Sequence, residues 1–373
     1  MTSSTAHLTA ADYDEIGREL DAIRAEVQES LGAADAAYIH KVIKLQRSLE
    51  VGGRAMLFAS FLPPAWIAGT VALSAAKILE NMEIGHNVLH GQWDWMRDPK
   101  IHSTTWEWDT ASPSDQWKHG HNFLHHTYTN VLGKDRDIGY TILRVSPEQP
   151  WNPAYLAQPV YNALLAMFFE YGIALYDVDI PKAFEGGAAG RAEAWGQLKA
   201  IGRKVRKQVL KDYVAFPLLA GPNFLPVLLA NFTANVTRNV WSHTIIFCGH
   251  FPDGTEVFTE DLLDGETRGQ WYVRQLLGSA NISGSPLFHL MSGNLSHQIE
   301  HHLFPDLPSN RYATIAPRVR ALFDKYDLPY NSAPLAHQIG STWRKILRLS
   351  LPGGGGGGSA PKTPSRPRPL TPA

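Results

Sequence analysis

Cysteine is almost missing from this chain: Cys248 stands alone among 373 residues. One thiol can build neither a disulfide framework nor a cysteine-ligated zinc or iron–sulfur site. Charge is sparse too, at 18%, below the roughly 25% usual in soluble domains. A formal net charge of −1 leaves no global field to draw nucleic acid, and no nucleic-acid partner is expected. No apolar leader opens the chain, because its first fifty residues are polar and charged; a secretory signal peptide is not expected. The six glycines from Gly353 lack the Gly-Lys-Ser/Thr that would make them a phosphate loop. Flavin and nicotinamide fingerprints are absent as well. The mean hydropathy of −0.20 speaks against a chain that is mostly membrane, but leaves room for a few spans under a polar domain.

Helical periodicity is plain near the start. Thr9 with Asp12 three residues on forms a capping-box variant. Ile16, Leu20, Ile23 and Val27 then recur on one helix face. A second helix over about 34–50 is expected to end at Gly52-Gly53. Long uncharged runs follow: 22 residues over 55–76, 21 over 149–169 and 25 over 213–237. About 20 apolar residues cross a bilayer as a helix. These runs therefore suggest three or four spans, with Pro63-Pro64 either breaking one span or joining two. Basic residues crowd before the last run, from Arg191 to Lys211, and the positive-inside rule makes such segments cytoplasmic. The expected fold is all-α: membrane helices carrying a cytosolic helical domain. Its parts are a cytosolic N-terminal region (1–50), a membrane domain (51–352) and a disordered Gly/Pro-rich tail (353–373).

The histidines carry the main signal. Nine of sixteen fall in three short windows, 86–90, 119–126 and 297–302, where even scatter would put about one. His86 and His90 are four apart, so both imidazoles share a helix face and can reach one metal. His121-Asn-Phe-Leu-His125-His126 and His297-Gln-Ile-Glu-His301-His302 repeat that spacing and add a neighbour. Adjacent helical residues point about 100° apart and suit two metals side by side better than one. The pattern predicts a histidine-ligated dimetal site, and imidazole alone leaves iron, copper, nickel and zinc open. Two runs separate the second box from the third. If both cross, all three boxes meet at one membrane face. Asp135 and Asp137, just after the second box, either accept ring N–H bonds from ligand histidines or pair with Lys134, Arg136 or another cation. Trp93, Trp95, Trp106 and Trp108 either line an apolar channel or serve as interfacial anchors and ordinary packing.

In Glu83-Ile-Gly-His86-Asn-Val-Leu-His90-Gly, His121 to Asn130, and His297 to Pro305, the chain resembles the integral-membrane fatty-acid desaturases, a non-haem diiron family. The segments Glu80–Asn87, Gly91–Met96 and Cys248–Gly254 are similar to actinobacterial acyl-CoA desaturases, which in turn are similar to stearoyl-CoA Δ9 enzymes. The resemblance implies two iron ions, dioxygen as co-substrate, and a cis double bond placed in a long-chain acyl-CoA, with Δ9 as the expected position. It also implies membrane lipid as surroundings and a separate electron donor: a ferredoxin, a cytochrome b5-like protein or a flavoprotein reductase. The expected location is a bacterial plasma membrane with the active site cytoplasmic.

For the metal ligands, the resemblance implies His86, His90, His121, His125, His126, His297, His301 and His302. A further histidine is expected from the end of a membrane helix; His250 is preferred and His243 is the alternative. Many members place a histidine three residues before the final His-His pair. Here that place holds Gln298, and His297 precedes it. Imidazole is the better iron ligand, which favours His297 and leaves Gln298 as the alternative. Two other functions fit the boxes: a diiron lipid or alkane hydroxylase, and a histidine-rich metal transporter. The transporter would need ionisable residues within its spans, and 213–237 contains none that are charged.

Overall fold

A computed structural model describes residues 3–178 and 180–354. The part of the 353–373 tail beyond Gly354 lies outside the described residues. The chain is helical nearly throughout. Among the described residues the only strands are β1 (Asn281–Ser283) and β2 (Ser332–Pro334), a parallel pair of three residues each.

Helix α1 (Ala10–Glu29) begins as its sequence dictates. Thr9 caps it, and Asp12 returns the bond to the Thr9 backbone N–H at 2.8 Å. Its apolar face, Ile16, Leu20, Ile23 and Val27, is buried in the largest apolar cluster. Helix α2 (Ala33–Leu57) runs straight through Gly52-Gly53 instead of ending there. The glycine is used for a close crossing: a Cβ on Gly69 of α3 (Pro63–Leu79) would lie 2.9 Å from the Gly53 carbonyl. Pro63 and Pro64 open α3 at its first turn, where a missing N–H costs nothing.

The expected spans are not formed. No helix among the described residues is long and apolar enough to cross a membrane, which corrects the expectation of membrane helices and of an integral membrane protein. The reasons differ from run to run. Helix α3 has 17 residues and carries Lys77; it rises about 26 Å against the roughly 30 Å of a bilayer core. The 149–169 run falls into α4 (Gln158–Met167) and α5 (Phe169–Tyr176), parted at Phe168. Helix α6 (Gly187–Val209) carries the basic residues. The 213–237 run is divided among a π-helical turn (Leu210–Ala215), a short turn to Leu219, a 3-10 turn at Gly221-Pro222-Asn223 and α7 (Phe224–His250). Helix α7 has 27 residues, but buries Asn231, Asn235, Arg238, Asn239, Ser242 and His243 along its length.

That polar face meets a buried ion network. The Asp212 carboxylate is fully buried and accepts from Lys77 Nζ at 2.7 Å and Arg54 Nη2 at 3.1 Å. Asn231 donates to its carbonyl at 2.7 Å. Asp212 thus ties α2, α3 and α7 together. Burial raises its pKa, but Lys77, Lys211 and Arg54 outweigh that and hold it below the usual range. The fold continues with α8 (Arg268–Leu277), α9 (Gln298–Leu303), α10 (Tyr312–Lys325) and α11 (Leu335–Ser350). Helices α1, α8, α9 and α10 share the main apolar cluster and carry the third histidine box at its edge.

Candidate metal centre

Each box sits where a helix changes pitch or begins. Helix α3 passes into a π-helical turn, Glu80–His86, which carries His86; one α-turn later comes His90. A second π-helical turn, Lys118–His125, carries His121 and His125 and leads into His126. Single π turns often mark functional sites, because the extra residue re-aims side chains. Box three opens α9. His297 is its N-terminal flanking residue with φ −99° and ψ 56°, outside the helical register. Gln298, His301 and His302 lie inside it, at spacings that share a face.

Two groups of rings result. Nitrogens of His86, His90, His121 and His301 all lie within 4.8 Å of one another. Nitrogens of His125, His250 and His302 form a second such group. His126 stands between them: its ring centroid is 4.7 Å from His90, 4.8 Å from His301 and 4.5 Å from His302.

Other side chains hold these rings by their outer nitrogen. His125 Nδ1 lies 3.0 Å from Asp135 and His121 Nδ1 3.3 Å from Asp137. His86 Nδ1 meets Asn87 Oδ1 at 3.1 Å, His301 Nδ1 meets the Tyr312 hydroxyl at 3.3 Å, and His302 Nδ1 meets Gln275 Oε1 at 3.1 Å. A ring fixed at Nδ1 presents Nε2. The Nε2 atoms of His90, His121, His125, His126, His301 and His302 are all buried without a hydrogen-bond partner, as is Nδ1 of His250. Buried polar atoms are normally satisfied. A convergent set of orphaned imidazole nitrogens is the donor set a transition metal takes, so these residues fit a histidine-bound metal.

Electrostatics agree. Burial lowers the pKa of His90, His126, His250, His301 and His302 well below the ordinary value, and that of His86 to about 3, leaving lone pairs free. His125 is the exception. Burial alone would lower it, but Asp135 and Asp137 raise it to about 9. Asp137 is raised by burial and lowered further by His125 and His121, ending below the usual carboxylate range.

His297 and His243 are not brought to either group. The His297 ring stacks on His289 at 4.6 Å, with Nδ1 3.9 Å from Glu300. Gln298 is closer to the rings, its amide nitrogen 3.1 Å from His250 Nε2. His243 is held by Asn162 at 3.0 Å and stacks on Phe247 at 3.8 Å. His119 is exposed and stacks on Phe123. Tyr312, Gln275 and Asn87 were not foreseen as ring holders; nothing in their local sequence points to the task.

A narrow slot of about 70 Å³ adjoins the rings. Met82, Trp108, Phe169, Ile173 and Ile246 give it apolar walls, and His86, His121, His250 and Gln298 face it. Of the four tryptophans considered from sequence, Trp108 alone lines it; Trp117, stacked on His121 at 4.5 Å, joins it. Trp93 is buried beside Tyr38 instead, at 6.2 Å.

Comparison with known proteins accords with this geometry. The fatty acid desaturase family model matches residues 61–334. The chain is 54% identical over 351 residues to an NADPH-dependent stearoyl-CoA 9-desaturase of Mycobacterium tuberculosis, covering 93% of this chain and 82% of that protein. It is 28% identical over 285 residues to an sn-1 linoleoyl-lipid 6-desaturase of Synechocystis, covering 75% of this chain and 79% of the relative. With three histidine boxes gathered around an apolar slot and a family match over most of its length, this chain belongs to the fatty acid desaturase family and is an oxidoreductase.

Proposed function

We propose that this protein introduces a cis double bond at the Δ9 position of a long-chain acyl-CoA, using a pair of iron ions, dioxygen and two electrons from a separate donor. The observation that carries the reading is the pair of histidine groups with orphaned nitrogens beside an apolar slot. The 54% identity to a stearoyl-CoA 9-desaturase supports the substrate and position. The NADPH dependence of that relative supports a reductase-fed donor. No flavin or nicotinamide fingerprint occurs in the sequence.

His86, His90, His121 and His301 would hold one iron, and His125, His250 and His302 the other. His126 would serve between them, and the Gln298 amide stands nearer to them than His297 does. When bound, the irons supply the dioxygen activation that side chains cannot. The chain's own work is positional. Asp135, Asp137, Tyr312 and Gln275 fix the rings by Nδ1 and so keep Nε2 aimed inward. Trp108, Phe169 and Ile246 would hold the hydrocarbon against the ring side of the slot and keep water from it. Lipid contact is supported by exposed Phe61, Leu62 and Ile67 at the α2–α3 turn and by Leu218, Leu219 and Leu225 before and at the start of α7.

The test is reconstitution of the purified, iron-loaded chain with stearoyl-CoA, dioxygen and a reductase. An 18-carbon Δ9 cis-monoene thioester is expected. A hydroxylated product, or turnover only with acyl chains esterified in phospholipid, would overturn the reading.

A further inference from the structure

Two tryptophans stand in line with the histidine rings. The Trp117 indole stacks on His121 at 4.5 Å with an interplanar angle of 21°, and meets His86 and His90 edge-on at 5.3 and 5.5 Å. All three histidines belong to one nitrogen group. Trp108 lies against Trp117 at 4.9 Å. Both indoles are buried, with Leu89 and Ile173 packed around them. Trp108 Nε1 donates to the Ser112 carbonyl at 2.7 Å, which fixes the ring.

Trp108 also lines a second cavity of about 280 Å³, walled by charged residues of α2, α3 and α6. Arg47 and Lys207 on that wall are exposed, so the chamber reaches the surface. The two indoles thus make an aromatic line from a polar, surface-reaching chamber to rings that fit a metal. Tyrosines stand near the rings too, but their chemistry differs. A phenol that loses an electron must shed its proton with it. Tyr176 donates to Asp137 at 2.7 Å, so it would push that proton onto the carboxylate that holds His121. An indole keeps its N–H proton as a radical cation. Electrons can therefore pass along the indole pair with no proton moved.

We propose that Trp117 and Trp108 form an electron relay that protects the metal centre when dioxygen is activated with no hydrocarbon in the slot. This rests on the diiron reading above. In turnover the substrate supplies two electrons and two protons to the oxidising equivalent. Without substrate, Trp117 gives up one electron toward the metal pair and becomes a radical cation. Trp108 refills Trp117, and the separate electron donor refills Trp108 from the chamber. No bond in either indole forms or breaks. Two such rounds, with two protons from water, complete the reduction of dioxygen to water. A hole left at the rings would instead oxidise an imidazole ligand or a wall of the slot. The relay so serves the same end as excluding water, the suppression of side reactions at a reactive centre.

The experiment uses the full-length, iron-loaded protein, reduced with dithionite, freed of excess reductant and mixed with dioxygen, with and without stearoyl-CoA. Electron paramagnetic resonance of rapidly frozen samples reads the radical. Labelling the wild type with ring-deuterated tryptophan or ring-deuterated tyrosine assigns it without any substitution. Peptide mass spectrometry after repeated substrate-free cycles reads lasting oxidation at each side chain. A radical that responds to deuterated tryptophan is expected, severalfold weaker with stearoyl-CoA present, together with oxidised Trp108 and Trp117. Trp117→Phe keeps a ring beside His121 that is far harder to oxidise; the radical should be lost and oxidised box histidine should rise severalfold. Trp108→Phe should confine radical and oxidation to Trp117. Dioxygen consumption with no indole radical and no indole oxidation would overturn the relay and leave the diiron reading standing. So would a radical that responds to deuterated tyrosine, or one that persists in folded, iron-loaded Trp117→Phe. A wild type that takes up no iron, or consumes no dioxygen once reduced, would overturn the diiron reading and the relay with it.

Discussion

Asp135→Asn removes one charge and almost no volume, from a carboxylate that no solvent reaches. Its oxygens lie 3.0 and 3.1 Å from His125 Nδ1 and also accept from the Asn130 and Asp137 backbone N–H groups at 2.7 and 2.9 Å. With metal bound, the carboxylate fixes the His125 tautomer and raises its basicity; losing such a partner typically lowers metal affinity 10- to 100-fold. The metal-free protein gives a second reading. His125 titrates near 9 in the fold because Asp135 and Asp137 overcome its burial, against about 6.5 in the unfolded chain. A raised histidine contributes stability that is fully present below pH 6.5 and is lost as pH rises through 9. The net shift, after the burial that opposes it, corresponds to about 3 kcal/mol. The other cluster histidines are pushed the opposite way, so they lower stability as pH falls through 6.5 and are silent above it. Denaturant unfolding of metal-free wild type and Asp135→Asn, from pH 6 to 9.5, isolates the effect. The stability gap between them should narrow by up to about 3 kcal/mol as pH rises, over any constant offset from lost backbone bonds. A gap independent of pH, or an unchanged iron dissociation constant, would contradict this role of Asp135.

Other outcomes follow from single contacts. Asp212→Asn should cost about 3–5 kcal/mol in denaturant unfolding, because Lys77 and Arg54 lose their buried counter-charge. Gly69→Ala should cost about 1–3 kcal/mol, since the new methyl would lie 2.9 Å from the Gly53 carbonyl and force α2 and α3 apart. His250→Ala should lose iron by metal analysis, whereas His243→Ala should keep it and lose only stability, its ring being held by Asn162 and Phe247.

What could be read from the sequence was local. The Thr9–Asp12 cap and the Ile16–Val27 face need only neighbours within a turn, and both are in the fold. The gathering of the histidines was legible in their paired spacing for the same reason. The spans failed because uncharged is not the same as apolar. Asn231, Asn235 and Asn239 interrupt no count of charges, yet they line one face of α7 with Arg238 and answer a buried carboxylate and main-chain carbonyls. Pro217 and Gly221-Pro222 then divide the run before α7 begins. Counting i, i+4 from His301 back to His297 assumed a helix that already includes His297. The helix starts one residue later, which places Gln298 toward His250. Tyr312 and Gln275 reach their histidines from 11 and 27 residues away, and no spacing rule connects them.

Two metal positions rather than one are proposed for the histidine boxes. Iron per chain, measured on purified active protein and on His90→Ala and His302→Ala, tests it most directly, because those residues belong to different nitrogen groups. Two irons per active wild-type chain are expected, with each variant losing iron and turnover while keeping its fold by circular dichroism. One iron per chain at full activity, or full iron and turnover in either folded variant, would contradict it.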